Sequence, residues 1–241
     1  MKVLAINSSP NTDQGNTARI LNPFLEGMQE AGAEVELFYT SKLKIKPCQG
    51  DFNCWFNTPG KCLHNDDMAM LNPKFDEADI TIYSTPLYAD GVSGPLKNLI
   101  DRQISRGNPT LEFRDGESRH PATKDQKPGK LILVSSCGLW EMSHFDPVLM
   151  HMKAYCKNMI WDFAGALLRP HAPAMMFLDG LGKKYDDIFE AAKEAGKQMI
   201  TDGRMSEKTL QIIGRELMPP EDYVNNLNEM VRTFLEAIKN N

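Results

Sequence analysis

K-V-L-A-I-N-S-S-P-N-T-D-Q-G-N-T, residues 2–17, decides the fold. Val3, Leu4, Ala5 and Ile6 form a short unbroken apolar run, the pattern of a strand buried on both faces. A small polar loop follows from Asn7 to Asn16, punctuated by Pro10 and Gly15. Helical spacing begins at Thr17. Strand, hydroxyl-rich loop and helix start together suit an anion. The first turn of a helix has amides without intrahelical partners and carries the positive end of the dipole. Two other phosphate loops are excluded: there is no G-x-G-x-x-G, hence no dinucleotide fingerprint, and no G-K-[ST], hence no P-loop.

Outward from this stretch, strands and helices alternate. Ile20, Leu21, Phe24, Leu25 and Met28 recur at helical spacing to Ala31, with Gly32 as the stop and Pro23 expected to kink the helix or shift its start. Glu34 to Tyr39 reads as a second strand and Asp79 to Ser84 as a third. A helix follows on Leu96, Leu99 and Ile100, with Pro95 in its first turn. Leu131 to Ser135 is a fourth strand, Phe145 to Ile160 a helix, Ala164 to Leu168 a weaker fifth strand, and Tyr185 to Thr201 a helix. This alternation predicts an α/β, doubly wound, five-stranded parallel sheet of flavodoxin-like order, with helices on both faces. The expected organisation is one domain over residues 1–204, with a cysteine-bearing segment at 42–65 and a polar insertion at 107–129. In that insertion, R-D-G-E at Arg114 to Glu117 signals a turn and a small hairpin. A C-terminal helical extension, 205–241, carries one further amphipathic helix on Tyr223, Leu227, Met230, Val231, Phe234 and Ile238.

Composition narrows the class. With 241 residues and 41% hydrophobic content, a full core forms without disulfides. A net charge of −5 argues against a nucleic-acid partner. No apolar run approaches membrane-spanning length, and no secretory signal opens the chain, so no membrane association is expected. Five cysteines, an odd number, suit a reducing cytoplasm.

In this fold, ligands bind outside the carboxyl ends of the strands, which brings three loops together. They are Ser8 to Thr17, Thr85 to Gly91, and Ser136 to Trp140. The first suits an anion; the others offer an aromatic residue each, Tyr88 and Trp140, among small residues that admit a planar ligand. Micromolar binding needs about 8 kcal/mol. Hydrogen bonds to a charged group give roughly 1.5–3 kcal/mol each before desolvation and ordering are counted. A phosphate alone is therefore held weakly, and a flat apolar group in the other two loops would supply the remainder. A phosphate joined to an aromatic ring system describes FMN.

The segments S-S-P-N-x-x-x-G-N-T, S-T-P-L-Y-x-x-x-x-S-G-P-L-K-N-L-I-D-R and S-S-C-G-L-W-E resemble the NAD(P)H-dependent FMN reductase family, especially its iron–sulfur flavoprotein branch. The resemblance runs from Met1 to about Ile160. By motif match it implies that Ser9, Asn16 and Thr17, with Ser8 and Pro10 beside them, hold the FMN phosphate. Pro86, Leu87, Tyr88 and Ala89 would lie along the isoalloxazine, and Cys137, Gly138 and Trp140 would border the ring and ribityl. Other readings stay open: Ser8 and Ser9 as helix caps, Tyr88 packed on its own helix, Trp140 as a core or dimer contact. Cys137 has no His or acid beside it in sequence and reads as a small buried residue rather than a nucleophile.

The iron–sulfur flavoproteins resembled here carry four clustered cysteines. Cys48, Cys54 and Cys62 match three of them, and Asp51 stands at the other position. A cluster wants four thiolates, and a carboxylate is a harder donor. Three readings follow: loss of the cluster, a 4Fe–4S centre retained with Asp51 or an outside ligand, or zinc on the three thiols with His64. Loss ranks first, because the ligand set is incomplete. His144, His151 and His171 show no metal spacing and are expected at the surface or with satisfied partners. Asp66 and Asp67 read as a helix N-terminal feature, and Lys97 and Arg102 as solvated.

The expected function is an enzyme: an FMN-dependent oxidoreductase passing electrons from NAD(P)H to a small acceptor such as a flavin or quinone. No catalytic acid, base or nucleophile is named, since the flavin carries the chemistry. The alternatives are a ferredoxin-linked iron–sulfur flavoprotein and a non-enzymatic flavin or redox-sensing module. The amphipathic C-terminal helix and the polar insertion suggest a homodimer or higher homo-oligomer.

Overall fold

Alternating side chains explain the central sheet. In the computed structural model, which describes residues 1–124, 127–182 and 184–239, β1 (Lys2–Asn7) sends Val3 and Ala5 to one face and Leu4 and Ile6 to the other. All four are buried, so no polar residue interrupts the strand. The other parallel strands are β2 (Glu34–Tyr39), β3 (Ile80–Pro86), β6 (Gly129–Ser136) and β7 (Trp161–Arg169), in spatial order β2-β1-β3-β6-β7. That is the flavodoxin-like arrangement expected from the alternation, and the order reverses at β1/β3. Inside the insertion, β4 (Glu112–Arg114) and β5 (Glu117–Arg119) pair antiparallel around Asp115 and Gly116, both at positive φ. Positions 125–126 of the insertion and 240–241 of the extension lie outside the described residues.

Helices cover both faces. On the Val3 side lie α1 (Asn16–Glu30) and α7 (Asp186–Thr201); on the Leu4 side lie α3 (Met68–Glu77), α4 (Gly94–Arg102) and α5 (Asp146–Met159). Short helices α2 (Asn53–Phe56) and α6 (Ala174–Gly180) fill the connections. Pro23 lies inside α1 but neither ends it nor moves its start. Helices α1 and α7 meet at glycines: a Cβ on Gly27 would sit 1.9 Å from the Lys193 carbonyl oxygen, and one on Gly196 would sit 2.1 Å from that of Phe24.

Three sequence expectations are corrected. β7 begins at Trp161 rather than Ala164; a register shift there, with Gly165 at φ 126°, hides its alternation. The extension holds two helices, α8 (Glu207–Gly214) and α9 (Pro220–Lys239), since Ser206 Oγ caps a short first one by accepting from the Thr209 amide. Arg102 is buried, not solvated: its guanidinium grips both oxygens of Asp66 at 2.7 and 3.0 Å and donates to the Lys46 carbonyl. Asp66 also accepts from the Met68 amide at the start of α3, as its helix-terminal reading expects.

Candidate flavin site

The first loop shapes itself. Asn7 Oδ1 accepts from the Ser9 amide, and the Ser9 carbonyl accepts from Thr12, closing a tight turn after β1. Gly15 precedes α1 with no side-chain cap, so the amides of Asn16 and Thr17 lack intrahelical partners. Ser9 Oγ has no hydrogen-bond partner among the described residues and faces Gly15, where an added Cβ would come within 2.6 Å of it. These are neutral donors in a concave turn, the kind that holds a phosphate without a lysine. Ser8 differs: it is buried, and its amide and hydroxyl both donate to the Ser84 carbonyl. Pro10 is exposed at the outer edge of the turn.

The second loop is stitched to the first and third. Ser93 Oγ donates to the Ser8 carbonyl, and its amide donates to Thr85 Oγ1. The Leu87 amide donates to the Ser136 carbonyl at 2.9 Å. Tyr88 and Gly91 exchange backbone hydrogen bonds around Ala89 and Asp90, which take φ of 47° and 57°. Both central residues are left-handed and neither is glycine, a strained two-residue turn at the sheet edge. Pro86 and Leu87 are half-buried; Tyr88 and Ala89 are exposed.

The third loop is held from behind. The Cys137 amide donates to the Arg169 carbonyl, and Cys137 Sγ accepts from the Leu139 amide. Burial pushes the Cys137 thiol up, which leaves a protonated packing residue. Gly138 is exposed, and a Cβ there would meet nothing within 4 Å. Trp140 is half-buried, stacks on His171 at 5.6 Å, and donates from Nε1 to the Met218 carbonyl. Tyr223 Oη donates to the Gly138 carbonyl.

Behind that loop sit residues that the motifs do not mark. Arg169 is fully buried with no carboxylate among its hydrogen-bond partners; its guanidinium donates to the carbonyls of Pro170, Ile213 and Arg215 and to His171 Nε2. His171 Nε2 also accepts from the Leu217 amide, so it is unprotonated and the ring is neutral. Burial first, and then the Arg169 charge, push His171 down to about 4. His171 thus has satisfied partners, as expected. Asn7, Gly15, Ser84, Ser93 and Ser136 also build the site. Gly15, Ser84, Ser93 and Ser136 stand within the three motifs, whereas Asn7 is marked only by its place at the end of β1.

Cys62 lines a groove with α3 residues and Arg102. Cys48 is exposed, Cys62 half-buried and Cys54 buried, its thiol pushed up by burial and then by Cys62, Asp51 and Cys48. Asp51 Oδ1 accepts from the Asn53 amide at 2.8 Å, opening α2. Among the described residues, no three His, Cys, Asp or Glu side chains converge as a metal-holding group. Three thiols and an engaged carboxylate do not fit a four-thiolate centre.

The three loops fit FMN better. The amides at the α1 start and the Ser9 hydroxyl, which has no partner among the described residues, suit its phosphate. Tyr88 and Gly138 are both exposed on the second and third loops. Among the described residues no helix is long and apolar enough to cross a membrane.

An iron–sulfur flavoprotein of Archaeoglobus fulgidus is 39% identical over 102 residues, 42% of this chain and 48% of that protein. An iron–sulfur flavoprotein of Methanocaldococcus jannaschii is 37% identical over 102 residues, 42% of this chain and 51% of its own length. The chain thus spans about half the length of the curated relatives it matches. Among solved structures, an azoreductase from Bacillus anthracis superposes with a TM-score of 0.59 at 15% identity, over 84% of this chain and 99% of that one. An NAD(P)H:quinone oxidoreductase from Methanothermobacter marburgensis gives 0.57 at 15% identity, over 83% and 96%. These two establish the shared fold alone. The family profile described as NADPH-dependent FMN reductase matches residues 1–160, more than half of the chain, and the chain therefore belongs to that family.

Proposed function

We propose that this protein is an FMN-dependent oxidoreductase that takes electrons from NAD(P)H and passes them to a small acceptor, a quinone or flavin. The observation that carries this reading is the direct linkage of the three loops: Thr17 Oγ1 lies 2.7 Å from Ser136 Oγ, and Ser93 Oγ donates to the Ser8 carbonyl. One preformed edge then receives phosphate at Ser9, Asn16 and Thr17 and a ring between Tyr88 and Gly138. When bound, FMN would supply hydride and single-electron chemistry. The chain's own residues bind and orient: Pro86, Leu87 and Ala89 would flank the ring, Cys137 closes the loop from beneath, and Trp140 holds it from behind. Tyr88, more than half exposed at 53%, borders the open side where donor and acceptor would enter. The curated relatives' names motivate a check for iron and acid-labile sulfide, but the cysteine segment takes no part in this reading.

The test is an anaerobic absorbance spectrum of protein supplied with FMN, before and after NADH or NADPH. Bound flavin that bleaches with either nucleotide is expected. Protein that stays colourless after FMN addition overturns the flavin assignment. Bound flavin untouched by both nucleotides overturns the donor and favours the non-enzymatic alternative.

A further inference from the structure

Helix α9 is amphipathic yet lies mostly in solvent. Of its 20 residues, only Tyr223 is buried. Val224 is 49% exposed, Val231 46%, Phe234 66% and Ile238 57%. Helices in proteins draw most of their stability from packing an apolar face, and so much aliphatic surface in one stripe marks a contact.

The pattern says which contact. Val224, Val231 and Ile238 recur every seven residues, with Leu227 and Phe234 between them at the complementary spacing. β-Branched residues at the first position with Leu and Phe at the fourth favour two parallel strands. The positions beside this seam carry Met230 and Leu235 but no charge, so like copies do not repel there. Charged residues Glu229, Arg232 and Glu236 lie on the opposite side. Four acids against two bases over α9 disfavour an anionic lipid surface as the cover. A separate groove of about 730 Å³ lies beside the seam between α6 and α9, lined by Met176, Leu181, Met230 and Phe234 and also by Glu229.

We propose that α9 pairs with α9 of a second copy of this chain in a parallel two-stranded seam formed by Val224, Leu227, Val231, Phe234 and Ile238. The seam begins one residue after Tyr223, whose hydroxyl holds Gly138, so each copy's pairing braces the third loop of its own site.

Sedimentation velocity of the full chain tests this. The wild type sediments as a dimer at micromolar concentration. Val231→Glu weakens self-association at least a hundredfold while retaining a cooperative thermal transition, and Glu229→Gln on the far side changes nothing. Should Val231→Glu fail to fold, Val231→Cys decides: mild oxidation followed by peptide mapping finds residue 231 joined to residue 231 of a second copy. A wild-type monomer, a dimer that survives Val231→Glu, or no link between the two 231 positions overturns the proposal. So does a wild type that stays monomeric and binds anionic vesicles.

Discussion

Thr17 and Ser136 meet hydroxyl to hydroxyl at 2.7 Å, both buried, although 119 residues separate them in the chain. This bond locks the start of α1 to the end of β6, and so the candidate phosphate turn to the loop carrying Gly138. Thr17→Val keeps the shape and removes the link. Leaving Ser136 without this partner costs about 1–3 kcal/mol of stability. FMN affinity should fall about tenfold, since a hydrogen bond of that order is lost from the framework. Denaturant melts and fluorescence titration with FMN measure both. An unchanged affinity would show that the loops do not cooperate in holding the ligand.

Gly15 tests the turn itself. Its φ of −79° suits any residue, so the constraint is space: a Cβ would press on Ser9 Oγ at 2.6 Å. Gly15→Ala should displace that hydroxyl and weaken FMN binding at least tenfold with only a small change in melting temperature. Equal losses of binding and stability would point to a structural role for the turn.

Acid should loosen the back of the third loop. His171 binds its proton at pH about 4 in the folded chain, against about 6.5 when unfolded. Between those values the unfolded chain holds more protons, so stability falls as pH drops from 6.5 to 4 and is unaffected above 7. The full effect is at most about 3.4 kcal/mol. Thermal melts across this window should show the loss, and His171→Gln should flatten the dependence. A variant as acid-sensitive as the wild type would assign the effect elsewhere.

The α1–α7 pair on the Val3 face tolerates no added atom. Gly196→Ala drives a methyl against the Phe24 carbonyl and should cost about 3 kcal/mol or more. Gly94→Ala, where a Cβ meets nothing within 4 Å, is the near-neutral control. Urea unfolding of the two variants makes the comparison.

Ala89 is the reverse case. At φ 47° it sits where glycine is favoured, and Ala89→Gly should raise stability by about 0.5–1 kcal/mol. A lowered melting temperature would mean that the methyl makes a packing contact outweighing the backbone strain.

Much of the fold was legible because its signals are local. Val3 to Ile6 reads as a doubly buried strand, and the D-G turn of the hairpin follows from residues willing to take positive φ. The beginning of β7 was not, because a bulge at Ala164–Gly165 breaks the alternation. Helices α6 and α8 span only seven and eight residues, too few turns to display a period. Arg102 looked like any helical cation; nothing local announces that Asp66 arrives from 36 positions earlier. In the site, the loops could be named but not the work of each hydroxyl. Ser8 joins two strands while Ser9 stays open, a division that depends on Ser84 in a distant strand. Arg169 and Tyr223 lie beyond the recognised motifs, and only the fold brings them behind Gly138.

The arm from Ile213 to Tyr223 has a consequence for biosynthesis. Its carbonyls and its tyrosine hold the loop at 137–140 through Arg169, His171 and Trp140. A chain emerging from the ribosome completes the turn after β1 early, near residue 17, but that turn waits for Ser136, and the third loop waits for the arm. Bracing of the third loop therefore follows the synthesis of Tyr223, and a nascent chain stalled before Met218 should carry its sheet formed and that loop still unbraced.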